Sequence, residues 1–348
     1  MTKAEKMAKK SEIKIDIVIP WVDGSDPKWL AEKNKYLPEG EQVDIDASAK
    51  RWRDWDNVQY IFRGIEKFCP WVNKVFFITC GQVPSWLNTD NEKLVLVNHK
   101  DYIPQEYLPT FASRPIELNL HRLEGLSEHF IYVNDDFFFT RKCNEEDFFK
   151  DGLPKLVAME KPKTISQEDI FDCTINNNVR LIASKYDKHV VKKSNKKCWY
   201  PLCDPIVFFV NKFYDKTAPT GWAGIYMDHL PAPFLKSAFE ECWQVFPKQM
   251  DETSHCRFRS RYSLNQYIVT EYMLCKGTFA REKYGKRGAN FSLNDVNSNI
   301  DKVCQEIKKQ KHKTICLNDV NVQNFEETKQ KINNALEYIL PEKSSFEK

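Results

Sequence analysis

The chain has 348 residues, 42% hydrophobic and 29% charged, a balance that supports one large or two medium cores and excludes disorder as the default. Its 52 basic and 49 acidic residues leave a net charge of only +3, and the basic residues lack interleaved aromatics, so nucleic acid is excluded as the expected partner. The lysine-rich stretch from Met1 to Lys14 lacks the apolar run of a secretory signal, and no segment is apolar enough to span a bilayer, so a cytoplasmic protein is expected. The eleven cysteines are scattered, odd in number and without a Cys-x-x-Cys pair, which reads as reduced thiols.

Along the chain, Ile13 to Pro20 alternates and then runs apolar with β-branched residues, predicting a buried strand that delivers Trp21 to Pro27 into a loop. Asp54 or Asp56 caps a predicted helix on which Val58, Ile61, Phe62, Ile65 and Phe68 keep helical spacing, with Pro70 as its stop. Lys74 to Thr79 and Lys93 to Val97 read as strands, a helix runs from about Pro115 through Glu124, and Phe130 to Val133 forms a strand leading into Asn134-Asp135-Asp136. Strands alternating with helices predict an α/β fold with a mostly parallel sheet covered on both faces. Periodicity weakens from Asp151 to Thr220, where Lys192-Lys193-Ser194-Asn195-Lys196-Lys197 is strongly basic, and this stretch reads as an inserted basic lid. Pro231 to Phe246, Leu264 to Cys275 and Phe325 to Ile339 follow as helices.

Several constellations carry possible chemistry. In an open α/β sheet, ligands bind beyond the carboxyl ends of the strands, so Asp135 and Asp136 would enter a cleft. Two hard oxygen ligands there suit Mg²⁺ or Mn²⁺ and a phosphorylated substrate, with a turn or helix cap as the alternative. Glu117, His121 and Glu124 fall at i, i+4 and i+7 of one predicted helix, an ionisable face that either opens on that cleft or is solvated. Arg257, Arg259 and Arg261 alternate; in an extended segment they would share one side, as a phosphate clamp or a charged edge. His229 lies beside Asp228 ahead of a predicted helix, where a carboxylate could orient its ring, with a structural histidine as the alternative. Thr314 to Asp319 is a second apolar run ending in Asn-Asp, which suggests a polar site shared with Asp135, although Asn-Asp is also a common turn pair.

The same stretches resemble the Stealth family. Trp21 to Pro27, Arg51 to Pro70 with Trp71-Val72, Gly81 to Asn88, Leu108 to Phe111, Glu117, His121 to Leu126 and Asn134-Asp135-Asp136 resemble its first two blocks. His229 through Phe246-Pro247 to Arg259 resembles the third, and Cys316-Leu317-Asn318-Asp319 the fourth. That family contains bacterial capsular-polysaccharide sugar-1-phosphate transferases and the animal N-acetylglucosamine-1-phosphotransferase that tags lysosomal enzymes.

The resemblance implies a Rossmann-like fold of the metal-dependent GT-A kind that binds a nucleotide sugar. The reaction it implies is transfer of a hexose 1-phosphate from a UDP-sugar to a glycan hydroxyl, releasing UMP. A glycosyltransferase that releases UDP and a non-catalytic carbohydrate-binding subunit are the alternatives. Mg²⁺ or Mn²⁺ is expected at Asp135 and Asp136, with Asn318 or Asp319. Catalytic roles fall to Asp136, to His229 as base, to Arg259 on the phosphate oxygens and to Glu117. Substrate contacts are expected from Trp21, Asp23, Gly24, Asp26, His121, Arg122, Asn134 and Arg257, and from Arg51 and Arg63 on the diphosphate unless these two form structural ion pairs. The expected organisation is a flexible basic tail at 1–12, a nucleotide-sugar-binding half at 13–150, an insertion for the acceptor at 151–220 and a helical half at 221–348 that completes the site. A lipid-linked glycan acceptor is expected, bringing peripheral contact with the cytoplasmic face of the inner membrane or with polysaccharide-assembly proteins.

Overall fold

The computed structural model describes residues 13–37, 54–163, 170–295 and 299–348. Strand β1 (Ile15–Pro20) is buried from Ile15 to Ile19, as a β-branched run must be in a sheet covered on both faces. Helices α1 (Pro27–Asn34) and α2 (Val58–Phe68) lead to β2 (Val75–Thr79) and β3 (Leu94–Asn98); α3 (Ser113–Leu118) precedes β4 (His129–Tyr132). β1 pairs in parallel with β2 and β4, and β2 with β3. The order β3-β2-β1-β4 reverses the winding at β1 and β4, and the carboxyl ends of those strands flank the crevice where such sheets take ligands. The mostly parallel α/β fold thus agrees with the predicted alternation of elements.

Period-two alternation divides the core between the two faces. Ile17, Ile19, Ile131 and Val133 pack with the α2 residues Ile61, Phe62 and Ile65 on one side. Val18, Phe130 and Tyr132 face a second cluster on the other. The α2 stripe is buried as its spacing predicts. Gly64 brings that helix against β5 (Phe137–Phe139), where a Cβ would lie 2.7 Å from the Phe139 carbonyl oxygen.

The stretch after β5 contains the short strands β6 (Phe149–Lys150) and β7 (Leu153–Leu156) and the helices α4 (Ile170–Ala183), α5 (Lys188–Ser194), α6 (Lys196–Trp199) and α7 (Pro205–Thr217). Part of its basic run turns inward. Lys188 and Lys192, one helical turn apart on α5, are buried against Glu160, Lys188 at 3.1 Å, and Lys192 also meets Asp215 at 2.8 Å.

Three predicted elements need correction. Pro231 to Phe246 is not one helix: β8 (Ala232–Leu235) pairs antiparallel with the open edge of β4, and α8 (Lys236–Val245) begins after it. Pro233 is tolerated because β8 is an edge strand. The helix expected through Glu124 ends at Leu118, because the Asn119 side chain donates to Pro115 O at 2.8 Å, taking a carbonyl that a continuing helix would use. The i, i+4, i+7 face of Glu117, His121 and Glu124 therefore does not form. The arginine segment after α9 (Pro247–Ser254) is bent at 257–258 and turns at 261–262 before α10 (Tyr267–Lys276), so strand alternation does not align its three guanidinium groups.

Beyond β9 (Ala280–Arg281), β10 (Gly288–Asn294) and α11 (Ile300–Lys308), strand β11 (Thr314–Asn321) joins β5 to β10, and α12 (Phe325–Ile339) docks on the α2 side.

Candidate active site

The exit of β4 sets the geometry. Val133 still donates its N–H to Val18 O (2.9 Å), and Phe137 N–H returns to Asn134 O (3.1 Å), so Asp135 and Asp136 occupy a tight turn at the carboxyl end of the strand. β5 then pairs antiparallel with β11, with Phe137 opposite Cys316. That register lets the buried Cys316 thiol donate to Asp136 Oδ2 at 3.2 Å. Asp136 Oδ1 is buried and meets no hydrogen-bond partner among the described residues.

His229 enters from the segment before β8. Its Nε2 lies 3.6 Å from Asp136 Oδ2, and Asp136, His229 and Cys316 present their polar atoms within 4.8 Å of one another. The ring packs edge-on against Phe137 (4.9 Å between centroids) and Phe171 of α4 (6.5 Å). Nδ1 is 3.1 Å from the Tyr267 hydroxyl, which lies 3.4 Å from Asp228 O. A hydroxyl donating to that carbonyl leaves its lone pairs for an Nδ1–H, so the hydrogen-bond pattern assigns Nε2 as the titrating nitrogen.

The electrostatics are those of crowded carboxylates. Burial opposes a charge on His229, but Asp136, with Glu117 and Asp135 behind it, outweighs burial and holds the imidazole pKa above its ordinary value. Asp135 is exposed at the turn, while desolvation of its carboxyl group and the neighbouring Asp136 charge push its pKa up to about 7. Glu117 is buried on α3, where desolvation raises its pKa against the pull of Ser113 and of Tyr132, whose hydroxyl donates to Oε1 at 3.1 Å. Burial and Asp136 hold the Cys316 thiol protonated. A bare buried carboxylate oxygen beside a second carboxyl group fits a hard divalent cation.

The loop after β1 borders the same crevice and is braced by Gln82. Gln82 accepts from Asp23 N (2.8 Å) and donates to Asp23 O and Asp26 Oδ2 (2.9 Å each). Asp26 also caps α1 through Lys28 N, and the Gln82 bond keeps its carboxyl below the usual range. Asp23 Oδ1 accepts from Ser25 N and Oγ, Gly24 is half-buried at the turn, and Trp21 stacks on Phe77 at 5.6 Å. Both carboxylates therefore shape the loop.

Other expected contacts lie elsewhere. Arg63 is directed to the chain end, paired with Glu347 (2.9 Å), Glu337 (2.8 Å) and Leu340 O (2.9 Å), the structural ion pair that is the alternative to a diphosphate contact. His121 packs on Phe239 and Trp243, and Arg122 lies over Trp243. Phe239 also packs on Phe130, two residues before Tyr132, so this cluster sits down the strand from the acidic turn, and His121 and Arg122 are structural here. Arg257 covers the Tyr36 ring at 4.8 Å. Arg259 is half-buried in a loop that lies along α3, where Arg114 donates to Ser260 O at 2.8 Å and Phe111 N to Arg257 O at 2.8 Å. Asn318 and Asp319 lie inside β11 and not at its end; alternation gives Asn318 the Cys316 side and Asp319 the Leu317 side. Arg51 falls outside the described residues.

Tyr267, Tyr132, Phe171 and Gln82 were not anticipated. Gln82 stands within a family word, as does Cys316, but Phe171 lies in the insertion, where no pattern marked it.

Four family models match, described as Stealth protein conserved regions 1 (residues 14–41), 2 (51–156), 3 (228–272) and 4 (305–348). The chain is 34% identical over 345 residues to the receptor polysaccharide phosphotransferase WefC of Streptococcus oralis, covering 96% of this chain and 99% of that one. It is 37% identical over 341 residues to a capsular polysaccharide phosphotransferase WcwK of Streptococcus pneumoniae, with the same coverage. It is 35% identical over 338 residues to the exopolysaccharide phosphotransferase cps2G of Lactiplantibacillus plantarum, covering 96% of each. With all four conserved regions in order and full-length relatives that are phosphotransferases, the chain is a transferase enzyme and belongs to the Stealth family.

Proposed function

We propose that the enzyme moves a hexose 1-phosphate from a UDP-sugar to a hydroxyl of a glycan acceptor, forming a phosphodiester in a capsular or other cell-surface polysaccharide and releasing UMP. The relatives' names support phosphotransfer in polysaccharide synthesis. The observation that carries the reading within this chain is the His229–Asp136 contact at the switch point of the sheet.

Phosphoryl transfer asks for alignment and charge neutralisation more than for covalent help. The acceptor oxygen attacks the β-phosphorus, the bond from that phosphorus to the bridging oxygen of UMP breaks, and His229 Nε2 takes the acceptor proton. Such a base is typically worth about 10²–10⁴ in rate. Asp136 Oδ2 orients the imidazole and stabilises the imidazolium, while Tyr267 holds Nδ1. Arg259 contacts the phosphate oxygens and Glu117 stands behind the site. A Mg²⁺ or Mn²⁺ ion held by Asp136 and Asp135, with Asn318 beside them, would supply charge neutralisation at the diphosphate. The half-buried loop from Trp21 to Asp26 receives the nucleotide, and a lipid-linked glycan is the acceptor class.

Incubation with a panel of UDP-sugars, Mg²⁺ or Mn²⁺ and glycan acceptors, followed by identification of the nucleotide product, tests this. UMP in step with a phosphodiester product is expected; UDP would replace the reading with glycosyl transfer at the anomeric carbon.

A further inference from the structure

The outer face of α7 is apolar and open to solvent. Ile206, Phe209 and Phe213, at i, i+3 and i+7, are 55%, 68% and 58% exposed, and Leu202 just before the helix is 87% exposed. The opposite face is a normal core face, with Val207 and Asn211 buried. Two apolar surfaces on one helix of 13 residues mean that only one is satisfied by the fold.

The charges around this face have one sign. Asp204, at the start of α7, is buried and accepts from Tyr284 N at 2.9 Å. Asp215 is turned back to Lys192 and to the Tyr200 hydroxyl. Both acidic groups are thereby consumed inside, while Lys212 and Lys216 on the helix and Lys161 and Lys283 near it remain exposed. The stripe continues into a groove of about 420 Å³ whose walls include Met159, Val210 and Tyr284.

We propose that α7 is an interfacial helix that seats the enzyme on an anionic phospholipid bilayer, its aromatic and aliphatic side chains entering the headgroup boundary and its lysines meeting lipid phosphates. A helix whose exposed face carries aromatic and aliphatic side chains with lysines on its flank binds in this way, by buried apolar area plus attraction to anionic lipid. A twofold contact with a second copy would bring two lysine-bearing faces together while both acidic groups of this region are already engaged within each copy, which disfavours a dimer on this face. Among the described residues no helix is long and apolar enough to cross a membrane, so the contact is peripheral. The seat is joined to the active site: Tyr284 packs on Tyr226 at 5.2 Å, and the Tyr226 hydroxyl meets the Asp228 carboxylate next to His229. The bilayer therefore meets the side of the protein from which the His229 segment is built.

Flotation of the full chain with vesicles of equal parts phosphatidylcholine and phosphatidylglycerol, against phosphatidylcholine alone, tests the seat without reference to the reaction. Binding only to the anionic vesicles, weakened by salt, is expected. Phe209→Ser with Phe213→Ser should lower partition by about tenfold or more, and Lys212→Glu by about fivefold or more, each with an unchanged thermal melt. Absence of wild-type binding to anionic vesicles, or binding that both variants retain in full, would overturn the proposal. So would concentration-dependent dimerisation that the Phe209→Ser, Phe213→Ser variant abolishes.

Discussion

Nε2 of His229 and the thiol of Cys316 converge on a single oxygen, Oδ2 of Asp136, at 3.6 and 3.2 Å, while Oδ1 of the same carboxylate is buried without a hydrogen-bond partner among the described residues. In the proposed reaction this carboxylate has two separable duties, orienting the base through one oxygen and leaving the other for the cation. Asp136→Asn keeps the shape but removes the charge that raises the His229 pKa. Turnover should fall by about 10²–10⁴ in Asp136→Asn and in His229→Gln, with the melting temperature near that of the parent. Steady-state release of nucleotide, read beside a thermal melt, separates loss of chemistry from loss of fold.

In the proposed reaction Tyr267 acts through the imidazole as a positioning residue. Its hydroxyl is 3.1 Å from Nδ1 and 3.4 Å from Asp228 O, so Tyr267→Phe frees the ring to rotate while leaving the aromatic packing in place. A fall in kcat of about 10–100-fold is expected, with KM for donor and acceptor nearly unchanged. An equal rise in KM with constant kcat would instead make Tyr267 a binding contact.

The parallel sheet was legible because its strands are continuous β-branched or aromatic runs, and α2 because its apolar residues keep a strict stripe. β8 was not: Phe234 and Leu235 continue the helical spacing of Ala238, Phe239 and Cys242, and only the open edge of β4, a tertiary fact, draws them into a strand. The acidic turn could be placed from local pattern, since a strand end fixes where its next residues go. For Arg63 the sequence leaves diphosphate contact and a structural ion pair equally open, because its Glu347 partner lies 284 positions away. Likewise Asn119 breaks the helix below His121 by a side-chain bond that periodicity does not encode.

Cysteine reactivity provides a check that needs no substrate. Cys316 is fully buried, and burial with the adjacent Asp136 charge holds its thiol well above the ordinary range; Cys203 is exposed. Since only thiolate reacts, brief treatment of the native protein with iodoacetamide at mildly alkaline pH should label Cys203 and spare Cys316, as read by peptide mass spectrometry. Prompt labelling of Cys316 would mean that the β5–β11 pairing does not close over it.

The polar interior of the insertion should be costly to disturb. Glu160 is fully buried and compensates two buried ammonium groups, Lys188 and Lys192, while Oε2 accepts from Ala223 N at 2.9 Å. Glu160→Gln leaves those cations with Asp215 as the remaining carboxylate partner of Lys192 and with carbonyl oxygens around Lys188. Removing one member of such a group costs about 3–5 kcal/mol. A urea unfolding midpoint lowered accordingly is expected, or a separate early transition in which the insertion unfolds first.

The placement of His121 makes stability depend on pH in a definite direction. Burial beside Phe239 and Trp243, aided by the charges of Arg122 and Lys236, lowers its pKa from 6.5 to about 4. The folded protein therefore holds this ring neutral at a pH where the unfolded chain has already bound a proton. Its contribution to stability is present in full above about pH 6.5 and is lost progressively as the pH falls toward about 4. His99, also buried, is lowered to about 4 by burial alone and adds to the same trend. His121→Phe preserves the aromatic stack but has no proton to bind. The melting temperature of this variant, measured against the parent across that interval, should gain on the parent steadily as the solution is acidified. A constant difference between the two would mean that His121 is solvated, and that the packing of α8 over it is looser than the Phe239 and Trp243 contacts require.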